Sequence, residues 1–199
     1  MSTIAASTTT TTAYKVTADT TGTLVLQTGA TPTTALTIDT GQRTTFPTTI
    51  AVGNATPATS GSGISFPATQ SASSDANTLD DYEKGTFTPT FSPGAGAFTT
   101  TSVTGAYTKI GRFVNVYITF TITTVGTASG ALTFSGLPFV NGASNRFINL
   151  MRENGTTGIM GQAWIDTSGT TGVVRKYDDT NYTLASGQQY LLNLNYYTT

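Results

Sequence analysis

Carboxylates are the side chains of this sequence with the clearest potential for chemistry. The chain has ten Asp and Glu residues, and the tightest groups are Asp80, Asp81 and Glu83, and Asp178 with Asp179. A glycosidase needs two carboxyl groups about 5–9.5 Å apart, and clustered carboxylates could also supply oxygen ligands to Ca²⁺. Both groups lie in turn-like sequence, and no Asp-x-Asp-x-Asp-Gly loop is present. We therefore expect them to be solvated turn residues.

Two reactive residue types are missing from the chain. It contains no His and no Cys. The missing His removes the commonest general base, the Ser-His-Asp and Cys-His nucleophile systems and the commonest metal ligand. The missing Cys excludes disulfides and thiolate metal sites. We expect a protein that is not an enzyme and that has no cofactor.

Aromatic side chains offer a second kind of site, a stacking platform for sugar rings. The chain has 10 Phe, 9 Tyr and 1 Trp, most of them from Phe87 onward. Packing in cores and between subunits is the commoner role of such residues. Trp164 lies in an apolar segment and is expected to be buried, whereas Tyr182 follows turn-like sequence and is expected to be exposed. The residues that could contact a glycan or a partner are Tyr177, Tyr182, Tyr196 and Tyr197.

The charge pattern excludes several classes of partner. Only 10% of the residues are charged and the net charge is −1, so the basic surface expected of a nucleic-acid-binding protein is missing. No apolar run approaches the roughly 18–20 residues of a membrane span. The segment Met1-Ser-Thr-Ile-Ala-Ala lacks the basic and apolar parts of a signal peptide. We therefore expect neither nucleic acid nor membrane as a partner.

The composition divides the chain into three regions. Residues 1–52 are Thr-rich, residues 53–76 resemble a Gly/Ser-containing linker, and residues 77–199 are dense in aromatic and β-branched residues. Thr makes up roughly a quarter of the chain and favours extended strands with a wet face. The division predicts an attachment region, a connector and a folded β-domain.

Strict alternation predicts a long strand over residues 112–124. Its apolar face would contain Val114, Val116, Ile118, Phe120 and Ile122. Other strand-like segments, separated by Gly-rich turns, are residues 85–91, 98–103, 106–110, 131–134, 146–151, 158–165, 172–177 and 188–197. Short strands at this spacing predict an all-β chain whose C-terminal part is an antiparallel β-sandwich of jelly-roll type. Residues 80–84 could form one helical turn at most.

The N-terminal region should be extended and β-rich, with strands near residues 14–17, 23–27, 34–38 and 43–46. Its few large apolar residues include Leu24, Leu26, Leu36, Ile38 and Phe46. At about 25 cal/mol per Å² of apolar burial, so few side chains cannot offset the ordering of about fifty residues. We therefore expect these side chains to contact another chain, either sister copies or an underlying protein lattice.

Three segments in fixed order resemble a known family. They are Leu-Asp-Asp-Tyr-Glu-Lys-Gly-Thr-Phe-Thr-Pro-Thr from Leu79, Tyr-Thr-Lys-Ile-Gly-Arg from Tyr107, and Ser-Gly-Leu-Pro-Phe from Ser135. This series resembles the β-domain that ends many bacteriophage fibre and virion-surface proteins. The resemblance covers residues 77–140 and implies a homotrimeric structural protein on the outer surface of a virion, made in the host cytoplasm.

The resemblance leaves more than one role open. The first is a capsid decoration, or cement, protein that binds the major capsid protein, stabilises the capsid and displays the sandwich outward. The second is a short tail fibre or spike tip that is joined to tail proteins and binds a host surface polysaccharide. The third is a free carbohydrate-binding module, which the missing secretion signal disfavours.

Overall fold

The computed structural model describes residues 22–144 and 146–198, so the predicted strand at residues 14–17 lies outside the described residues. The chain forms two compact units, which divide between Pro67 and Ala68. All regular elements of the described residues are strands, and the predicted all-β class is confirmed. No helix long and apolar enough to cross a membrane occurs in the described part of the chain.

The N-terminal unit contains two small sheets. Its strands are β1 (Leu24–Thr28), β2 (Thr33–Ile38), β3 (Thr44–Thr45), β4 (Thr49–Ala51) and β5 (Gly63–Ser65). Strands β1, β2 and β3 form an antiparallel sheet in that order, and β4 pairs with β5 in parallel. The carboxylate of Asp39 closes the β2–β3 turn by accepting the backbone N–H groups of Gly41 and Arg43.

The C-terminal unit is built on one large antiparallel sheet. Its strands are β6 (Tyr82–Phe87), β7 (Thr90–Ala95), β8 (Thr100–Ile110), β9 (Phe113–Thr124), β10 (Ser129–Ser135), β11 (Phe147–Glu153), β12 (Met160–Ile165), β13 (Gly172–Lys176) and β14 (Gln189–Tyr197). Their hydrogen-bonded order is β6-β8-β9-β14-β11-β12-β13-β10-β7. The consecutive strands β6 and β7 therefore lie at opposite edges of the sheet.

This sheet curls on itself to give a sandwich-like fold. Phe91 on the edge strand β7 stacks on Phe120 of β9, six places away in the strand order, with ring centroids 4.1 Å apart. Only Thr88 and Pro89 separate β6 from β7, although the two strands form the two edges. The predicted strand over residues 85–91 is thus broken at Pro89, which has no N–H to donate to a ladder.

The core lies between the inner faces of the curled sheet. The predicted alternation of β9 is confirmed, because its five apolar residues at even positions are all buried. The neighbouring strand β14 contributes the buried side chains of Tyr190, Leu192, Leu194 and Tyr196. Residues 80–84 form no helical turn, because β6 begins at Tyr82.

Candidate functional site

Strand β11 places two large aliphatic side chains on the outer face of the sheet. Ile148 and Leu150 are 71% and 73% exposed, whereas Asn149 and Glu153 of the same strand are buried together with Met151. A strand that covers a core normally keeps its aliphatic residues inside and its polar residues outside. The outer face of the sheet at β11 is therefore apolar.

Neighbouring strands extend this apolar surface. In the β11–β12 ladder Arg152 lies opposite Met160, and Tyr117 lies opposite Asn193 where β9 pairs with β14. A hollow of about 240 Å³ opens between Tyr117, Leu150 and Met160. We call the outer side chains of Tyr117, Ile148, Leu150 and Met160 the outer apolar face. Exposed apolar surface of this kind marks an interaction site in soluble proteins.

A groove lined by polar side chains and one aromatic ring lies at one side of this face. It has a volume of about 380 Å³ and is lined by Arg146, Ile148, Gln162, Trp164 and Asp179. The guanidinium carbon of Arg146 is 5.6 Å from the Trp164 ring centroid, and Arg146 Nε is 3.4 Å from a carboxylate oxygen of Asp166. The groove thus combines an aromatic ring, a cation, an amide and a carboxylate.

The structure separates the four tyrosines predicted to contact a glycan. Tyr177 is 76% exposed and Tyr197 is also exposed, so both remain available for contact. Tyr196 is buried, and its hydroxyl donates to the carbonyl of Phe139 at 2.9 Å. Because Tyr182 and Tyr196 point into the core, neither can stack on a sugar from solvent.

The expectations for Tyr182 and Trp164 are both wrong. Tyr182 is only 3% exposed, its ring packs edge-on against Tyr190, and its hydroxyl donates to the carbonyl of Ile159. Burial raises the pKa of Tyr182 to about 12. Trp164 is instead only partly buried, because its position on β12 has the same parity as Met160 on the outer face.

Four of the five predicted N-terminal contact residues, Leu24, Leu26, Leu36 and Ile38, share one face of their sheet. Leu24 pairs with Ile38, and Leu26 with Leu36, across the β1–β2 hairpin. Leu26 and Phe46 are exposed, and no described residue from 22 to 67 is buried. The N-terminal unit therefore has no core of its own in the described part of the chain.

The acidic cluster before β6 differs from its prediction. Asp80 accepts the backbone N–H of Ser73 at the surface, but Asp81 is fully buried and forms an ion pair with Lys109. The expectation of solvated carboxylates is wrong for Asp81, because its position on the inner face of the sheet turns it away from water. Asp178 does close a turn as predicted, by accepting the N–H of Thr180 at 3.1 Å.

Glu153 is a buried acid that the sequence pattern did not single out. Its carboxylate accepts the backbone N–H groups of Gly155, Thr156, Thr157 and Gln189 and the hydroxyls of both threonines. Burial acts to raise the pKa of Glu153, but hydrogen bonds from Thr157, Thr156 and Gln189 outweigh it and lower the pKa to about 2. These hydrogen bonds tie the β11–β12 turn to Gln189 at the start of β14, so Glu153 has a structural role.

Comparison with known proteins identified no relative of this chain. No protein-family model, no curated protein and no solved structure matches the chain. Within the described residues, no group of three or more acidic side chains is arranged to hold a metal ion.

Proposed function

We propose that this chain is a non-enzymatic structural protein of the outer surface of a bacteriophage virion, and that it decorates the capsid as a homotrimer. The observation that carries the proposal is the exposure of two large aliphatic side chains of β11, Ile148 and Leu150, on the outer face of the sheet. A structural assembly protein needs such a surface. The series of three motifs that resembles phage virion-surface proteins supports the choice of a virion.

The outer apolar face is the proposed contact surface between copies of the chain in the trimer. Fully burying an aliphatic side chain contributes about 1.5–3 kcal/mol, so Ile148, Leu150 and their neighbours supply a substantial association energy. Arg152 is the one formal charge that lines the adjoining hollow, so close approach desolvates little charge there. The net charge of −1 also keeps repulsion between copies small.

The N-terminal unit is the proposed attachment to the major capsid protein. Its aliphatic face, formed by Leu24, Leu26, Leu36 and Ile38, is only partly covered by the described residues of its own unit. A trimer presents three such faces, so weak single contacts add up through a high effective concentration. Bridging neighbouring capsid subunits in this way would stabilise the shell against internal pressure from packaged DNA.

The oligomeric state tests the outer apolar face directly. We expect light scattering to give a trimer mass for the wild-type chain and a monomer mass for Ile148→Glu/Leu150→Glu, because two buried unpaired charges are costly. Val140→Glu changes an exposed valine outside this face and should remain trimeric. A monomeric wild type, or a trimer that survives both charges, contradicts the proposed interface.

The location is tested by counting copies in purified virions with quantitative mass spectrometry. A number comparable to that of the major capsid protein supports decoration. A few copies per particle would instead support the second candidate, a short tail fibre or spike tip that binds a host surface polysaccharide, which the Trp164 groove and exposed Tyr177 favour. Absence from virions contradicts both.

A further inference from the structure

A lysine and two acids meet where the C-terminal sheet begins. Glu83 on the edge strand β6 lies directly opposite Lys109 on β8. Asp81 comes two residues before Glu83, and its carbonyl accepts the N–H of Gly111, so it continues the β6–β8 pairing. Because side chains two residues apart share a face of the sheet, Asp81, Glu83 and Lys109 all point to the interior.

The amine of Lys109 is enclosed by groups that hold it against Asp81. Its Nζ contacts Asp81 Oδ2, donates to Gln70 Oε1 at 3.1 Å and lies 3.9 Å from Glu83 Oε1. The ring of Phe139 covers it at 5.4 Å. Lys109 is only 3% exposed and Asp81 is fully buried, so bulk water has almost no access to the pair.

One oxygen of this site has no hydrogen-bond partner among the described residues. Asp81 Oδ1 is buried, and no donor in the part of the chain that the structure describes reaches it. A buried ion pair is stable only when its remaining oxygens and protons are also satisfied, and an unpaired buried oxygen costs about 1–3 kcal/mol. As a simple salt bridge, the pair is therefore incomplete.

We propose that Lys109 and Asp81 form an intramolecular isopeptide bond, with Glu83 as the carrier of the proton. The amine in contact with Asp81 Oδ2 also lies next to Cγ, the carbon to which that oxygen is bonded. A nucleophile held against its electrophile gains several orders of magnitude in rate over a free encounter. This inference goes beyond the proposed function and does not depend on it.

The reaction balances without a cofactor. It starts when a proton passes from the ammonium group to the carboxylate, leaving a neutral amine beside a carboxylic acid. The amine attacks Cγ, a bond forms between Nζ and Cγ, and one Cγ–O bond breaks. The departing hydroxyl leaves as water with one amine proton, and the other proton stays on the new amide nitrogen. The amide carries no charge, so the buried site no longer holds an ion pair.

Glu83 is placed to move the proton in this sequence. Burial raises the pKa of Glu83, the negative charge of Asp81 raises it further, and Lys109 opposes the rise. A carboxyl group with a raised pKa can donate a proton to the oxygen that leaves and recover one from the attacking amine. A positioned acid–base group of this kind typically contributes about 10²–10⁴-fold to a rate.

The position of the bond suits a protein under load. Strand β6 is an edge strand that pairs only with β8, and the chain from the N-terminal unit enters the sheet through it. A pull on that segment would separate β6 from β8 one hydrogen bond at a time. A covalent link at the first position of this pairing would transfer the load to the inner strand β8.

Intact-mass spectrometry of the denatured full-length protein tests the proposal. We expect the purified wild type to be lighter than its sequence mass by one water molecule. Tandem mass spectrometry should find the peptides of Asp81 and Lys109 joined. A wild type at its full sequence mass, after prolonged incubation in the folded state, overturns the proposal.

Variants at the three positions identify the reaction. Lys109→Arg keeps the positive charge but lacks the amine, and it should retain its full mass; a lost water there would place the dehydration elsewhere and overturn the proposal. Asp81→Ala removes the carbon that the amine attacks and should also retain its full mass. Glu83→Gln should cross-link about 100-fold more slowly than the wild type, and an unchanged rate would remove Glu83 from the mechanism. Circular dichroism would verify that each variant is folded.

Discussion

Side-chain hydrogen bonds supplement the short backbone ladder between β11 and β14. Strand β11 pairs with β14 only over Met151–Glu153, and beyond that point Asn149 Oδ1 accepts the N–H of Asn195. At the other end of the same strand, the Glu153 carboxylate collects donors from the turn and from Gln189. Two buried polar side chains thus anchor a strand whose aliphatic residues face outward.

The substitution Glu153→Gln should destabilise the fold by about 2–3 kcal/mol. The amide keeps one acceptor oxygen, but its NH₂ group would face the backbone N–H of Thr157, which can only donate, whereas the Thr157 hydroxyl can turn to accept. Buried donors without an acceptor cost about 1–3 kcal/mol, and hydrogen bonds to a charged group are the stronger kind. Urea unfolding measures the loss, and Asp178→Asn, an exposed turn carboxylate, serves as the control.

The same residue predicts how stability depends on pH. Its pKa is about 2 in the folded chain against an ordinary value of 4.5, so Glu153 stabilises the fold fully above pH 4.5 and loses this effect as the pH falls toward 2. The difference corresponds to roughly 3 kcal/mol. Unfolding free energies measured from pH 6 to pH 2 should therefore fall more steeply for the wild type than for Glu153→Gln. Parallel curves would contradict this role.

The burial of Trp164 and of Tyr182 could not be predicted from the sequence. The segment from Met160 to Ile165 alternates, and both sets of alternate positions contain apolar residues, so the sequence does not tell which set is inside. The structure buries Gly161, Ala163 and Ile165 and leaves Trp164 outside. An added Cβ at Gly161 would come within 2.4 Å of the Tyr182 hydroxyl, so the missing side chain at Gly161 makes room for the Tyr182 ring.

At the scale of elements, strand β8 continues without a break through Gly105. The sequence predicted two strands, over residues 98–103 and 106–110, with a break near Gly105. The structure has one strand, because Phe87 lies opposite Gly105 and Tyr107 lies opposite Gly85. The two aromatic rings cover the two glycines and pack edge-on against each other, with centroids 6.4 Å apart. An aromatic ring over a glycine restores the packing that the glycine lacks.

The substitution Gly105→Ala should therefore destabilise the fold, although alanine favours a strand slightly more than glycine does. The new Cβ would lie 2.6 Å from Cε1 of Phe87, and displacing a packed ring costs about 1–3 kcal/mol. Thermal or urea unfolding would measure this loss. Thr104→Ala on the exposed face of the same strand should change stability by no more than about 0.5 kcal/mol. Equal effects of the two changes would show that the Phe87 ring moves away freely.

Strands β9 and β11 differ in whether the sequence pattern predicts which face of the strand is buried. In β9 polar and apolar residues alternate, and the apolar set is buried as predicted. In β11 both alternate sets contain apolar residues, Ile148 with Leu150 and Phe147 with Met151, and the structure turns inward the set that also holds Asn149 and Glu153. The pattern locates a strand and its alternation, whereas hydrogen bonds made by distant residues such as Asn195 decide which face of β11 is inside.

At the scale of the whole molecule, the last strand of the sheet completes its centre. Strand β14 pairs with β9 from Gln189–Thr121 to Tyr197–Phe113 and also pairs with β11. Its partner β9 lies far away along the chain, so this pairing closes a long loop at a substantial entropic cost. Until β14 arrives, neither of its neighbours has its full set of hydrogen bonds.

A chain that ends at Gln188 should consequently fail to fold its C-terminal unit, because it lacks the central strand and the four buried side chains of β14. We expect a loss of cooperative thermal unfolding and of near-ultraviolet circular dichroism. Two point variants separate the contribution of the core from that of chain length. Leu192→Ala removes a fully buried side chain and should cost about 2–5 kcal/mol, whereas Leu191→Ala, on the outer side, should cost less than about 1 kcal/mol. Cooperative unfolding of the shortened chain would show that β9 and β11 can close the sheet without β14, and it would contradict the central role of this strand.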